Sequence, residues 1–215
     1  MVPPTLYYRP GTAAIAPHMA LEEAGARYQL ALVDDGDGGI SLDEYRAVNP
    51  LGRVPSYVDG DLVLWEAAAV CVHVADTHPA AALLPPLGSE QRALAMRWLM
   101  YLTNTVQATF MHHAYPRRLI EDEPAAAELA AGAGRALDAA FEHIDAQLGE
   151  GPNLLGEQFA VADLYLFMVT RWCRRLPRKA WSLPHVGPHY ARVAERPAVV
   201  RALAQEGIEA YPDDW

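Results

Sequence analysis

The side chains that most often carry out chemistry are thinly placed in this 215-residue sequence. Cys71 and Cys173 lie far apart with neither C-x-x-C nor C-x-x-H spacing. They read as buried thiols on apolar helix faces rather than a disulfide or half a metal site. Of the eight histidines only His112 and His113 are adjacent, and helix neighbours point in different directions, a poor arrangement for chelation. No metal site is expected, and a dithiol oxidoreductase has no C-x-x-C to run on. What remains is hydroxyl and backbone chemistry. Tyr8 closes a β-prone run, and Thr12 follows the turn residues Pro10-Gly11 at the head of a helical pattern. Thr12 reads first as a helix N-cap and Tyr8 as a core or rim tyrosine. Glu66 precedes an apolar helix whose first amides can receive an anion; the plain alternative is favourable placement of an acid at a helix start.

These positions belong to alternating elements. Thr5-Leu6-Tyr7-Tyr8 is strand-like, and Ala13 to Ala26 is helical, with Pro17 early enough that its missing N–H costs little. Gly25 ends that helix, and Tyr28 to Val33 is a second strand before the acidic turn Asp34 to Gly39. Ser41 with Glu44 three residues on is a capping box opening a short helix to Val48. Val54 to Val58 and Leu62 to Trp65 flank Asp59-Gly60-Asp61, the signature of an antiparallel hairpin. Glu66 to Thr77 is an Ala-rich helix. The order is β-α-β-α-β-β-α over residues 1–77. The Pro-rich stretch 78–88 is a linker, and only helical patterns fill 89–215: about Ser89–Tyr115, Pro124–Leu148, Val161–Arg175, Val186–Glu195 and one from Pro197.

Bulk composition narrows the classes. A net charge of −10 gives nothing to neutralise phosphates, so nucleic acid is not an expected partner. Four basic and eleven acidic residues precede the linker. No apolar run reaches the roughly 18–20 residues that span a bilayer. Arg9, Pro10 and His18 interrupt the N-terminus, so it does not read as a secretion signal. A soluble, cytoplasmic protein is expected.

Asn49-Pro50-Leu51-Gly52-Arg53-Val54-Pro55, then Asp59-Gly60 and Trp65-Glu66, resembles the glutathione-binding half of glutathione transferases. Gly156 to Asp163 (Gly-Glu-Gln-Phe-Ala-Val-Ala-Asp) is similar to the family's Gly-x-x-Phe-Ser-x-Ala-Asp element. Tyr7-Tyr8-Arg9-Pro10-Gly11, Ala16-Pro17-His18, Tyr190 to Val193 and Arg196-Pro197 resemble the bacterial beta-type subgroup. The resemblance covers essentially the whole chain in order and spacing. It implies a thioredoxin-like α/β domain (1–77) followed by an all-helical domain (89–215), and a homodimer. It implies glutathione as co-substrate, bound through Arg53, Val54, Pro55, Glu66 and Ala67. It also implies a cis Val54–Pro55 bond that leaves the Val54 backbone free to pair with the ligand; the alternative is a trans proline on an edge strand. Gln107, Phe110, Met111 and His113 fall where the family faces an apolar electrophile; an aromatic and Met stripe also suits a core.

The sequence departs from the pattern where chemistry is concentrated. The subgroup's Cys-Ser after Pro-Gly falls on Ala13-Ala14, its His-Lys pair on Gln107-Ala108, and the Ser that holds the γ-glutamyl carboxylate on Ala67. Ala160 replaces an N-cap Ser. A free thiol titrates near 8.5, and helix N-terminal amides lower that value whatever the side chains. The expected thiolate partners are therefore the first helix's amides, then Thr12, then Tyr8. The leading expectation is a glutathione transferase that attacks an apolar electrophile. The alternative is a catalytically weak or inactive member of the fold that acts as a binding or interaction module.

Overall fold

A computed structural model describes residues 2–36 and 38–211. The chain forms two compact units. The first holds strands β1 (Thr5–Tyr8), β2 (Gln29–Leu32), β3 (Ser56–Asp59) and β4 (Leu62–Trp65) and helices α1 (Ile15–Glu23), α2 (Leu42–Tyr45) and α3 (Ala67–Thr77). The sheet order is β2-β1-β3-β4, with β1 parallel to β2 and the other pairs antiparallel. This is the thioredoxin-like βαβαββα arrangement expected from the sequence. Local chemistry accounts for its corners. Ser41 Oγ accepts the Glu44 N–H at 3.2 Å while the Glu44 carboxylate accepts the Ser41 N–H at 2.9 Å, completing the capping box. Gly60, at φ 58°, takes the left-handed turn between β3 and β4.

Leu6 of β1, the buried residues of α1 (Ile15, Met19, Leu21) and those of α3 (Val70, Cys71, Val74) form the first unit's core. The chain returns to this unit from Ala194. Helix α9 (Pro197–Glu206) begins at a proline, ends at Gly207 in the left-handed conformation and buries Val199, Ala202 and Leu203. It packs against α1. Arg196 Nη2 reaches the Glu23 carboxylate at 2.9 Å, and Arg201 Nε reaches that of Glu22 at 2.6 Å. The sequence pattern groups this helix with the helical half. Its apolar stripe and charged partners tie it to α1 instead.

The second unit runs from Pro85 to Val193. It contains α4 (Glu90–Tyr101), α5 (Ala108–Ala114), α6 (Glu123–Leu148), α7 (Val161–Trp172) and α8 (Val186–Ala194). Every residue of α7 is buried, so it is the core of this unit. Where the sequence suggests one helix over Ser89–Tyr115, a π-helical turn at Leu102–Gln107 separates α4 from α5. Thr103, Thr105 and Val106 fall in it, β-branched residues that suit an α-helix less well than straight-chain ones. Ala160 supplies no side-chain cap to α7. Half of the capping box survives, because Asp163 Oδ2 accepts the Ala160 N–H at 2.9 Å. Among the described residues no helix is long and apolar enough to cross a membrane.

Candidate functional site

Strand register gathers the sequence-predicted binding residues of the first unit at one end of the sheet. β1 pairs Tyr7 with Ser56, and β4 pairs Trp65 with the same Ser56. Tyr8 and the turn after it, Val54-Pro55 before β3, and Glu66-Ala67 after β4 therefore leave the sheet at a common edge. Each brings backbone groups that the fold does not use.

The Val54–Pro55 bond is cis. Among the described residues neither the Val54 N–H nor its carbonyl has a hydrogen-bond partner. An open pair on a half-buried residue can bond an extended backbone laid beside it. The preceding loop is held firmly. The Arg53 carbonyl oxygen accepts from Tyr45 Oη at 2.9 Å and from Asn49 Nδ2 at 2.7 Å. Asn49 Oδ1 accepts the Leu51 N–H at 3.0 Å, and the Tyr45 hydroxyl also lies 2.6 Å from Ser56 Oγ. Asn49 and Tyr45 are fully buried. They hold the loop before β3, a part that sequence reasoning missed although Asn49 opens the motif. Arg53 contributes its carbonyl to this scaffold, and its side chain is exposed.

Glu66 caps α3 with φ 74° and ψ 111°, an unusual backbone for a residue with a Cβ. Such a conformation costs on the order of 1–3 kcal/mol and is held where surroundings demand it. Its effect is to turn the chain sharply from β4 into α3. The N–H groups of Ala67 and Ala68 then open the helix with no partner among the described residues. Open amides at a helix start suit a carboxylate. Among the described residues the exposed Glu66 side chain has no hydrogen bond.

The head of α1 is more selective. Thr12 Oγ1 donates to the Arg9 carbonyl oxygen at 2.7 Å and receives the Ala14 N–H at 3.4 Å. The N–H groups of Thr12 and Ile15 go to the carbonyls of Arg9 and Thr12. The Gly11 N–H donates to Glu206 Oε2 at 2.8 Å. Of residues 11–15 only Ala13 keeps an amide without a partner among the described residues. Thr12 thus serves the turn, and α1 begins at Ile15 with Ala14 in the capping position.

Beneath this turn lies a polar cluster that the sequence pattern does not reveal. His18 is wholly buried, with Nδ1 3.0 Å from Glu206 Oε1 and Nε2 3.0 Å from both Tyr28 Oη and Gln205 Oε1. Burial, and then the Glu206 charge, push the Tyr8 phenol above its ordinary value.

Comparison with known proteins matches these parts. Residues 3–76 fit the glutathione S-transferase N-terminal domain and residues 123–196 the glutathione S-transferase C-terminal domain. The chain belongs to the glutathione S-transferase family. It is 32% identical over 206 residues to glutathione S-transferase GstA of Escherichia coli O157:H7, covering 95% of this chain and 99% of that one. The solved sphingomonad glutathione S-transferase complexed with glutathione superposes with a TM-score of 0.83 at 29% identity, over 94% of this chain and 98% of the other. The bacterial beta class glutathione S-transferase of Sphingomonas chungbukensis gives 0.82 at 31% identity, over 95% and 99%.

In this glutathione S-transferase the other predicted residues lie on the second unit. Gln107 ends the π-helical turn, and its Oε1 accepts the hydroxyl of buried Tyr165. Phe110 is buried with its ring 5.3 Å from that of Trp172. His113 Nδ1 lies 2.9 Å from the Ala130 carbonyl oxygen of α6. Gln107, Met111 and His113 are half-buried, so they, unlike Phe110, keep surface to offer. Cys71 and Cys173 are both free and buried, and burial pushes both thiols up.

Proposed function

We propose that this chain is a transferase that binds glutathione and joins its sulfur to an apolar electrophile. The observation that carries this is the convergence of unused backbone at one sheet end: the Val54 pair, the first amides of α3 and the Ala13 N–H. An extended tripeptide with a terminal carboxylate and a thiol matches such a set. The Val54 N–H and carbonyl pair with the cysteinyl unit. Ala67 N–H at the head of α3 receives the γ-glutamyl carboxylate, with Glu66 near the ligand's amine. The relative complexed with glutathione supports this choice of ligand.

The chemical step is short. The glutathione thiol loses its proton to water, and the Ala13 N–H and the positive end of α1 favour the thiolate. The sulfur lone pair then forms an S–C bond while the electrophile's leaving group departs with the bonding pair. Tyr8, a neutral phenol whose pKa burial and the Glu206 charge push further up, can donate to the sulfur; Thr12 must first release Arg9. Ala13 and Ala14 stand where the beta-type pattern has Cys and Ser, so backbone takes the place of a side chain. Gln107, Phe110, Met111 and His113 are assigned to the electrophile, Phe110 from the core side.

We also infer a cytoplasmic homodimer. Leu62, Val63 and Trp65 on the open edge strand β4, together with Leu51, leave an apolar surface exposed, which a second copy would cover. Light scattering at micromolar concentration checks this; a mass of 23.5 kDa refutes it.

Calorimetric titration with glutathione, followed by conjugation assays with several electrophiles, tests the function. Micromolar to millimolar binding and a rate that climbs with pH toward the free thiol value of about 8.5 are expected. Binding with no rate above the uncatalysed reaction would replace the enzyme with a binding module.

A further inference from the structure

We propose that Glu206, on the last helix, is a positioning residue for the sulfur of the bound thiol: by taking the Gly11 N–H it fixes the turn after β1 so that Ala13 presents an unclaimed amide at the head of α1. This rests on the glutathione-binding function proposed above.

The Glu206 side chain is wholly buried, and both of its oxygens are committed, Oε2 to Gly11 N–H at 2.8 Å and Oε1 to His18 Nδ1 at 3.0 Å. No arginine or lysine meets it among the described residues. A buried carboxylate is costly to keep, and an apolar side chain at the end of α9 would close the same gap more cheaply. Its hydrogen bonds identify what it holds. Gly11 turns at φ 67°, and the Thr12 N–H and hydroxyl both return to Arg9, so residues 9–13 form one closed turn pinned from below. His18 steers the carboxylate in turn, its ring held between Glu206 on one side and Tyr28 and Gln205 on the other. The remaining charged groups of the cluster, Glu22 and Arg201, pair with each other at its outer edge. Burial, and after it the Glu206 charge, push the nearby Tyr8 phenol up.

Three variants separate the hydrogen bond from the charge. Glu206→Gln keeps an oxygen for Gly11. Its amide can face His18 when the ring carries its proton on Nε2, where Gln205 Oε1 accepts it. Glu206→Asp keeps the charge but withdraws it by one methylene, and Glu206→Ala removes both. Hydrogen–deuterium exchange of the segment 9–15 is measured without ligand, and glutathione affinity and conjugation rate against pH with it. The Gln variant is expected to match wild type in exchange and affinity, with its rate profile at the same or lower pH. The Asp and Ala variants should exchange this segment roughly tenfold faster and lose roughly tenfold in affinity, the worth of one hydrogen bond to a charged group. Their rate profiles should shift to higher pH. If the Ala variant fails to fold, the Asp–Gln pair decides. A Gln variant as impaired as Asp, or an Asp variant equal to wild type, overturns the proposal. A wild type that does not bind glutathione overturns the function and this role together; one that binds while all variants match it overturns this role alone.

Discussion

The Thr12 hydroxyl donates to the Arg9 carbonyl oxygen at 2.7 Å, inside the turn that leads into α1. Its one proton is therefore spent on the backbone rather than offered to a ligand. Replacing Thr12 with Val, close in shape, should lower stability by about 1 kcal/mol and leave the rate–pH profile of conjugation in place. Thermal unfolding and kcat/KM across pH check both halves. A profile shifted upward by the substitution would return Thr12 to the chemistry.

Ala67 opens α3 with an N–H that has no partner among the described residues and no hydroxyl beside it. Ala67→Ser should tighten glutathione binding, because a hydrogen bond to a charged group is worth about 1.5–3 kcal/mol, or roughly ten- to a hundredfold. A dissociation constant that calorimetry finds unmoved would mean that the γ-glutamyl carboxylate lies elsewhere.

Asp163 holds together the start of α7. Its carboxylate accepts the Leu154 N–H at 2.9 Å and the Ala160 N–H at 2.9 Å, and lies 3.0 Å from His189 Nε2, all away from solvent. Asp163→Ala strands these donors and should cost about 3–5 kcal/mol. Ala160→Ser should work in the other direction, adding about 1 kcal/mol by capping the helix. Urea midpoints of the two variants on either side of wild type are the expected outcome, and an Asp163→Ala midpoint close to wild type would contradict it.

Glu22 predicts an acid limb of stability. Burial raises its pKa, but hydrogen bonds from Tyr28, Arg201 and Gln205 outweigh burial and hold the carboxyl below the ordinary value. The folded protein thus binds this proton less tightly than the unfolded chain does. The contribution is complete above the unfolded value of about 4.3 and fades as pH falls through the lower folded value. Glu22→Gln should therefore lose stability at neutral pH and differ less from wild type as the solution is acidified. A difference that stays constant from neutral pH down to the acid range would show that the carboxylate charge is not what matters.

Much of the first unit was legible because its signals are local. The Ser41–Glu44 box, the Asp59-Gly60 turn and the switch from strand to helix at Glu66 each act within a few residues. The cis Val54–Pro55 bond follows from a motif of the same length. What escaped was non-local. Nothing near Glu206 indicates that it will reach Gly11, 195 residues away, or that His18 will sit between α1 and α9. The π-helical turn escaped for another reason: Leu102 to Gln107 keeps an apolar pattern that an ordinary helix would also satisfy. At the candidate site the binding elements could be named from sequence, whereas the allocation of amides at the head of α1 depends on distances.

Helix α9 completes the unit that β1 begins, and this sets an order of manufacture. Residues up to Leu84 leave the ribosome first, yet Glu22 and Glu23 of α1 wait for Arg201 and Arg196, and His18 waits for Glu206, until the whole of the second unit has been made. Domains that fold as they emerge normally need only their own stretch of chain. Here the first unit passes through translation with one flank open, and a fragment cut at the linker would carry that open flank permanently.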